Sequence, residues 1–224
     1  MVISTGKVLS INITHMVHEG EWTGSEGRTG IDKRASQSRV SLKNNSVEGD
    51  VIVDRKHHGG YDKAVYAYAY EDLRWWEGEL GLKLSNGKFG ENLTTIGVDV
   101  TGAVIGERWA IGSAILEVSQ PRIPCRVFAG FWERPTLIKD FMEAGRPGAY
   151  LRIVQEGDIG GGDEIEIVNR PSHGITISDL FSAKRGERTR MSEIAKVPQI
   201  SYSIREWAEK FLISNNEVRE NVDE

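Results

Sequence analysis

The chain has 224 residues, with 28 Lys and Arg against 33 Asp and Glu, so its formal net charge at pH 7 is −5. This balance argues against a protein that holds a nucleic acid polymer by bulk electrostatics, because such proteins usually present a basic surface. No apolar run approaches the ~18 residues that span a bilayer. Residues 1–12 lack the charged start and apolar core of a signal peptide. We therefore expect no membrane attachment and a cytoplasmic location.

Up to about Asn169 the chain shows short β-branched or alternating runs that glycines interrupt, which is typical of many short strands in a closed or sandwich-like structure. The candidate strands cover residues 7–13, 39–42, 51–54, 64–68, 107–111, 114–119, 149–154 and 164–168. Gly112-Ser113 is typical of a tight hairpin turn, and Glu156-Gly157-Asp158 of a turn near another pair of strands. The pattern predicts a mainly β fold with minor α content.

Two helical patterns interrupt the strands, over residues 71–80 and 136–144. After Pro171 the strands cease and polar helical segments appear. Residues 203–206 have the form of a capping box and precede an apolar stripe at helical spacing, which includes Ile204, Trp207 and Phe211. We predict a β domain over residues 1–170 and a helical C-terminal segment over residues 171–224. The stripe docks either on the β body or on a partner subunit, and a homodimer is one assembly compatible with the second case.

The region from residue 28 to residue 63 is basic, with eight Lys or Arg against five Asp or Glu. A local basic region in an acidic protein suits a small anionic ligand better than a polymer, although a solvated surface is an equally simple explanation. Within it, Gly59-Gly60 would let the backbone approach a ligand closely, while His58, Asp62 and Lys63 offer a donor, an acceptor and a fixed charge. The stretch predicts either a phosphate site or a hairpin turn whose polar residues face water.

Cys125 is the only cysteine of the chain, which excludes an internal disulfide or a cluster held by several cysteines. It ends the stretch Pro121-Arg122-Ile123-Pro124-Cys125 and precedes Arg126, so two prolines stiffen the segment that carries the thiol. The two arginines would favour the thiolate, which attacks electrophiles and binds soft metals, if their side chains reach the sulfur. The alternative is a structural cysteine that behaves as a small buried hydrophobe.

Other familiar cofactor and metal motifs are missing from the sequence. His57 and His58 with Cys125 do not suit zinc, because neighbouring histidines of a strand point to opposite sides and no second cysteine completes a tetrahedral set. No glycine-rich dinucleotide or phosphate loop opens a βαβ unit, and residues 160–162, three glycines, fit a hairpin turn.

Several motifs together, in order and spacing, make a more specific pattern. They are Gly30-Ile31-Asp32-Lys33-Arg34, Gly49-Asp50 with Asp54, His58-Gly59-Gly60 with Asp62-Lys63-Ala64-Val65, Gly90-Glu91-Asn92-Leu93, Ile105-Gly106, and residues 119–125. Over roughly residues 6–180 this pattern resembles the MOSC domain, the family named after the C-terminal part of molybdenum cofactor sulfurase, and its stand-alone YiiM-like branch. Ile52 departs from the glutamine that the family often has in Gly-Asp-x-Gln-x-Asp, so one polar contact is either lost or supplied elsewhere.

The resemblance implies a partly barrel-like β fold that binds a molybdenum cofactor of the molybdopterin type. Cys125 matches the cysteine that coordinates molybdenum or, in sulfurase relatives, carries sulfur. Lys33, Arg122, His58 and Asn92 correspond to the residues around the pterin phosphate. To these we add the candidate anion-binding residues of the glycine stretch, namely Gly59, Gly60, Asp62 and Lys63.

The YiiM-like branch implies reduction of N-hydroxylated bases, such as 6-hydroxylaminopurine, to amines. In that reading Cys125 is the metal ligand, and His58 donates a hydrogen bond or a proton as the N–O bond breaks. The chain has no flavin motif and too few cysteines for an iron–sulfur centre, so an external reductase must supply electrons. Two alternatives remain, a sulfur carrier that uses a Cys125 persulfide and a non-catalytic module that binds the cofactor.

Overall fold

The computed structural model describes residues 3–220, and the side chains of residues 6–215. Its strands are β1 (Ile3–Glu19), β2 (Arg28–Ala35), β3 (Val40–Lys43), β4 (Ser46–Val47), β5 (Val65–Ala69), β6 (Leu93–Ile96), β7 (Arg108–Ile111), β8 (Ala114–Pro121), β9 (Ala149–Gln155), β10 (Gly157–Ile159) and β11 (Glu164–Asn169). Its helices are α1 (Arg55–His58), α2 (Tyr70–Leu80), α3 (Arg126–Phe131), α4 (Leu137–Ala144), α5 (Ile177–Arg185), α6 (Met191–Ala195) and α7 (Tyr202–Glu220). The predicted helical segment extends over residues 221–224, which lie outside the described residues.

Seven strands close into a β-barrel, in the order β1, β11, β7, β8, β9, β5, β6 and back to β1. All neighbours are antiparallel except β5 and β6. The long strand β1 closes the barrel with its first half, and its second half continues beyond the barrel and pairs with β2. Strands β3, β4 and β10 form a separate small sheet. The predicted mainly β fold with minor α content is therefore confirmed.

The apolar core has two parts. The larger part fills the barrel and continues into the C-terminal helices, where Ile204 and Ala208 of α7 are buried and Trp207 packs against them. The smaller part is a cluster of aromatic rings outside the barrel, including Trp76, whose indole N–H donates to the Tyr68 hydroxyl at 2.9 Å. The apolar stripe of the C-terminal segment thus docks on the β body of its own chain. The boundary near residue 170 stays a prediction.

Most predicted strands are present, but residues 51–54 form no strand. The N–H of Val51 donates to the Thr14 hydroxyl, and the Asp54 carboxylate accepts from the N–H of His57 at the start of α1. The Thr14 and Asp54 side chains thus bind backbone N–H groups in and next to this segment, in place of the hydrogen bonds that a neighbouring strand would make. The prediction also missed β2 and β6. Strand β2 is rich in charged residues, and its partner is the second half of β1.

Turns and caps were predicted with mixed success. Gly112-Ser113 joins the paired strands β7 and β8, as predicted, and Gly81 and Gly145 end α2 and α4 in the left-handed conformation. Residues 160–162 are not a hairpin, because β10 and β11 belong to different sheets. The capping box lies at Thr176 and Asp179 of α5, whereas Ser203 lies inside α7, which begins at Tyr202.

No helix of residues 3–220 combines the length and apolar character that crossing a bilayer requires.

Candidate active site

A cleft lies beside strands β5 and β9, at the point where Tyr66 and Tyr150 pair. Strand β2, the turn before β6 and the loop after β8 supply most of its other walls. Most of the predicted site residues are brought together here: Lys33, His58, Lys63, Asn92, Arg122 and Cys125 line the cleft. The lining also includes Ile52, Asp54, Tyr66, Gly90 and Tyr150.

Cys125 lies at the junction of the rigid loop after β8 and helix α3, and its side chain is half-buried. Of the two arginines that flank it in sequence, only Arg122 lines this cleft. Arg126 is exposed, and its Nη2 donates to the carbonyl of Glu21 at 2.9 Å. The prediction that both arginines act on the sulfur is therefore supported for Arg122 alone.

Arg122 is a buried cation whose side chain is fixed by contacts without an acidic partner. It is 4% exposed, and its Nη1 donates to the Phe89 carbonyl at 2.6 Å. The guanidinium carbon lies 4.4 Å from the centre of the Phe128 ring and 5.2 Å from that of Tyr66. The described part of the chain gives it no carboxylate at ion-pair distance. A buried cation is costly unless it is paired, so this position favours an anion that comes from outside the chain.

The pKa of Arg122 reflects the same surroundings. Burial acts to lower it, but Tyr66, Tyr150 and Cys125 together outweigh burial, and the pKa is raised. The guanidinium and the thiol therefore share one electrostatic environment. The raised pKa keeps Arg122 a cation in the cleft despite its burial.

The turn that receives Arg122 is organised by a buried carboxylate. Glu91 is fully buried, and its two oxygens accept from the N–H groups of Gly87 at 2.6 Å and Phe89 at 3.0 Å. Burial raises the pKa of Glu91, although these bonds and one from Thr94 oppose the effect. Glu91 thus positions the Phe89 carbonyl on which Arg122 rests.

Lys33 and Asn92 border the cleft but bind other groups of the protein. The Lys33 ammonium contacts the Asp50 carboxylate, which also accepts from Asn92 Nδ2 at 2.9 Å and from Thr14 Oγ1 at 2.8 Å. The Asn92 carbonyl oxygen accepts from the N–H of Tyr66 at 3.1 Å. These bonds leave Asn92 few groups for a ligand, and Lys33 contributes mainly positive charge that Asp50 partly offsets.

The Lys33 and Asp50 charges stabilise each other in the interior. Burial lowers the pKa of Lys33, while Asp50 and Glu91 act to raise it. Burial alone would raise the pKa of Asp50, but Lys33, Asn92 and Thr14 together hold it below its ordinary value. Each group of the pair therefore favours the charged form of the other, whereas the described residues give Arg122 no carboxylate at ion-pair distance.

His58 and Tyr150 face each other across the cleft, with His58 Nδ1 3.3 Å from the Tyr150 hydroxyl oxygen. Burial lowers the pKa of His58 to about 4, with Arg122 adding to the effect. Burial also raises the pKa of Tyr150 to about 12. Both groups are therefore neutral at pH 7. Of the two predicted roles of His58, its neutral form favours the hydrogen bond over proton donation, because a buried imidazole beside a guanidinium resists protonation.

The glycine stretch is less involved than predicted. Gly59, Gly60 and Asp62 do not line the cleft. Gly60, at φ +86°, precedes a single 3₁₀ turn over Tyr61–Lys63, and Asp62 turns towards Arg152, whose Nε lies 2.7 Å from it. Lys63 does line the cleft, and its Nζ donates to the His57 carbonyl at 2.7 Å. The stretch is not a hairpin turn, and of its predicted residues His58 and Lys63 reach the cleft.

The sequence did not reveal the two tyrosines of the site. Tyr66 and Tyr150 are paired in register on β5 and β9, and their ring centres lie 5.2 Å apart. Both strands were predicted, and both tyrosines sit in runs of small apolar residues. The alternation of such a run gives two faces, but it does not say which face borders a cleft when both faces are buried.

Comparisons with known proteins agree with this architecture. The family model for the MOSC domain matches residues 54–166. The uncharacterised protein YflK of Bacillus subtilis is 32% identical over 192 residues, which cover 86% of this chain and 87% of YflK. A protein of Gibberella moniliformis named reductase is 27% identical over 181 residues, 79% of this chain but only 32% of that protein. The crystal structure of YiiM from Geobacillus stearothermophilus superposes with a TM-score of 0.76 at 31% identity, covering 92% of this chain and 98% of YiiM.

Proposed function

The chain belongs to the MOSC domain family, and from this we propose that it is a molybdenum-cofactor-dependent reductase of N-hydroxylated bases or related N-hydroxylated compounds. One observation carries the proposal: a buried arginine without an acidic partner lies in the same cleft as the only thiol of the chain. The printed name of the Gibberella moniliformis relative, reductase, agrees with the proposed reaction type.

The residues of the cleft fit a molybdenum cofactor of the molybdopterin type. The phosphate of such a group needs cationic donors, and Arg122 offers N–H groups in the planar fork that binds phosphate well. Lys33 and Lys63 add positive charge to the same cleft. Molybdenum accepts soft ligands, and the Cys125 thiolate is the soft ligand that the cleft provides.

The proposed reaction converts R–NH–OH, two electrons and two protons into R–NH₂ and water. When bound, the cofactor supplies the two-electron exchange. The chain itself orients the substrate and provides hydrogen bonds. Because His58 is neutral, we assign it a hydrogen bond to the departing oxygen, with Tyr150 fixing the imidazole through Nδ1. Electrons come from an external reductase.

The test compares two arginines that lie four positions apart in sequence. Protein is produced in a host that makes the cofactor, and molybdenum, pterin and reduction of 6-hydroxylaminopurine by a reduced viologen dye are measured. Arg122→Met should lose cofactor, because the anion loses its buried counter-ion, and Arg122→Lys should retain part of it. Arg126→Met should keep a full molybdenum content, since Arg126 binds the Glu21 carbonyl at the surface.

Thermal unfolding of each variant separates cofactor loss from unfolding. Lys33→Ala is not a suitable probe of the cofactor site, because removing Lys33 also leaves the buried carboxylate of Asp50 unpaired. Wild-type protein that carries a labile added sulfur on Cys125 and no molybdenum, by intact mass and metal analysis, would contradict the proposal in favour of sulfur transfer. Protein that is fully loaded but reduces no N-hydroxylated base would favour cofactor binding without catalysis.

A further inference from the structure

Cys125 borders a second cleft that the proposed function has not used. Helices α5 and α7 form one wall of it through Lys184, Ser203 and Ile204, and the loop after β8 forms the other through Ile123 and Pro124. All three wall residues from α5 and α7 lie beyond residue 166, where the match to the family model ends. The C-terminal segment therefore adds to the barrel a surface that the matched MOSC region does not contain.

The two clefts meet around the thiol. Cys125, His58, Lys63 and Tyr150 line both of them. Lys33 and Arg122 border the first cleft and not the second. A group held at Cys125 from the first cleft can therefore be approached from the second by a different molecule.

The second cleft combines apolar and polar groups. Ile123, Pro124 and Ile204 provide apolar surface, and Ser203 provides a hydroxyl group. The charged residues of its lining are Asp54, Lys63, Arg126 and Lys184, and of these Lys184 is the one that the C-terminal segment contributes. Such a mixture of apolar walls and a few polar groups is typical of small-molecule sites.

Lys184 is held in place without an ion pair. Its Nζ lies 3.3 Å from the centre of the Trp207 ring, and the part of the chain that the structure describes gives it no carboxylate at ion-pair distance. Burial lowers the pKa of Lys184 to about 8, and nearby Arg188 adds to the effect. A partly desolvated ammonium of this kind retains N–H groups for an acceptor on a ligand.

We infer that the second cleft is the substrate site of the proposed reductase, and that Lys184 donates a hydrogen bond to a ring nitrogen or carbonyl of a planar nitrogen heterocycle bound there. The inference rests on the proposed function for the reaction, but not for the location of binding. It divides the site into a cationic cleft for the cofactor and a C-terminal wall for the substrate, with Cys125 at their junction.

The test uses adenine, the amine that reduction of 6-hydroxylaminopurine yields, as a non-reducible probe. Binding to the cofactor-loaded protein is measured by calorimetry, and KM, kcat and molybdenum content are measured beside it. Lys184→Met removes the charge but keeps a side chain on Trp207, and Ser203→Phe fills the cleft from an exposed position. Lys210→Met and Glu209→Phe make the same changes at exposed positions of α7 that do not line the cleft.

We expect Lys184→Met to weaken adenine binding about tenfold or more, which is the loss of one charge-assisted hydrogen bond. Ser203→Phe should weaken binding at least as much, and KM should rise in both variants while molybdenum content is unchanged. The two control variants should bind adenine like the wild type. Unchanged adenine binding and KM in both cleft variants would overturn the inference, as would an absence of adenine binding to the wild type.

The two proposals fail in different ways. A cofactor-loaded protein could bind adenine through Lys184 and Ser203 and yet reduce no N-hydroxylated base. That result would refute the reductase activity and support the second cleft as a binding site. Reduction with normal kinetics in both cleft variants would keep the reductase and refute the site. Loss of molybdenum from Lys184→Met would show that the second cleft holds the cofactor, which also overturns the inference.

Discussion

The buried pair of Lys33 and Asp50 allows a quantitative test of the electrostatics beneath the cleft. The side chains are 8% and 1% exposed, so neither charge is compensated by bulk water. Asp50→Asn keeps the shape but leaves the ammonium without its ion-pair partner. Lys33→Met keeps most of the stem and leaves the carboxylate with its bonds from Asn92 and Thr14. The double variant removes both charges.

Removing one partner of a buried ion pair costs about 3–5 kcal/mol, because the other charge remains unpaired. We expect the loss of unfolding free energy in Asp50→Asn to fall in this range. Lys33→Met should cost less, since hydrogen bonds to a charged group each contribute about 1.5–3 kcal/mol and two of them remain on Asp50. The double variant should be no less stable than Asp50→Asn, which gives a coupling energy of about 2 kcal/mol or more.

The assay is urea unfolding of the four proteins without cofactor, followed by circular dichroism, with thermal unfolding as a check. For a chain of this size each kcal/mol shifts Tm by about 2–4 °C, so Asp50→Asn should lower Tm by about 6–20 °C. Strictly additive losses in the double variant would refute the conclusion that the two charges stabilise each other.

Two further predictions concern His58 and the turn that supports Arg122. The folded pKa of His58, about 4 against 6.5 when unfolded, means that only the unfolded chain binds this proton between those values. The free energy of unfolding should therefore fall by up to about 3 kcal/mol as the pH drops across that window. His58→Gln should lose this part of the slope, and an identical pH profile would contradict the assignment. Gly87 has φ +84°, and an added Cβ would lie 2.5 Å from the Lys33 carbonyl oxygen. Gly87→Ala should thus cost about 2 kcal/mol or more, whereas Gly81→Ala, at φ +69° in open space, should cost about 1 kcal/mol; equal losses in urea unfolding would count against the tight turn.

Local features of the fold were predictable from the sequence. The hairpin of β7 and β8 is marked in the sequence by alternating apolar residues on both sides of Gly112, so neighbouring residues alone indicate it. Closure of the barrel carried no such signal, because the first residues of β1 pair with β11, more than a hundred and fifty positions later. Strand β2 escaped prediction since two of its charged residues, Asp32 and Lys33, are buried, and the partner of Lys33, Asp50, is supplied only by the tertiary structure.

The candidate site, like the fold, was predictable from the sequence only in part. The resemblance to the MOSC family pointed to Lys33, His58, Asn92, Arg122 and Cys125, and all five line one cleft. What each of them does depends on its partners. The sequence could not show that an internal carboxylate already binds one cation, nor that burial keeps the imidazole neutral.

The contribution of the C-terminal segment was also hidden. Its apolar stripe predicted docking, and the structure confirms it. Lys184 reaches the second cleft because α5 and α7 pack against the barrel in one particular orientation. An amphipathic pattern fixes which side of a helix is buried, but it does not specify the neighbour.

The central claim is that the Cys125 sulfur binds molybdenum, and the most direct measurement is the molybdenum content of Cys125→Ser beside that of the wild type. Both proteins are made in a host that synthesises the cofactor and are checked for equal thermal stability without it. The account predicts about one molybdenum per chain in the wild type and a large loss in the variant, since a serine hydroxyl is a poor substitute for a soft thiolate. Equal molybdenum in the two proteins would contradict it.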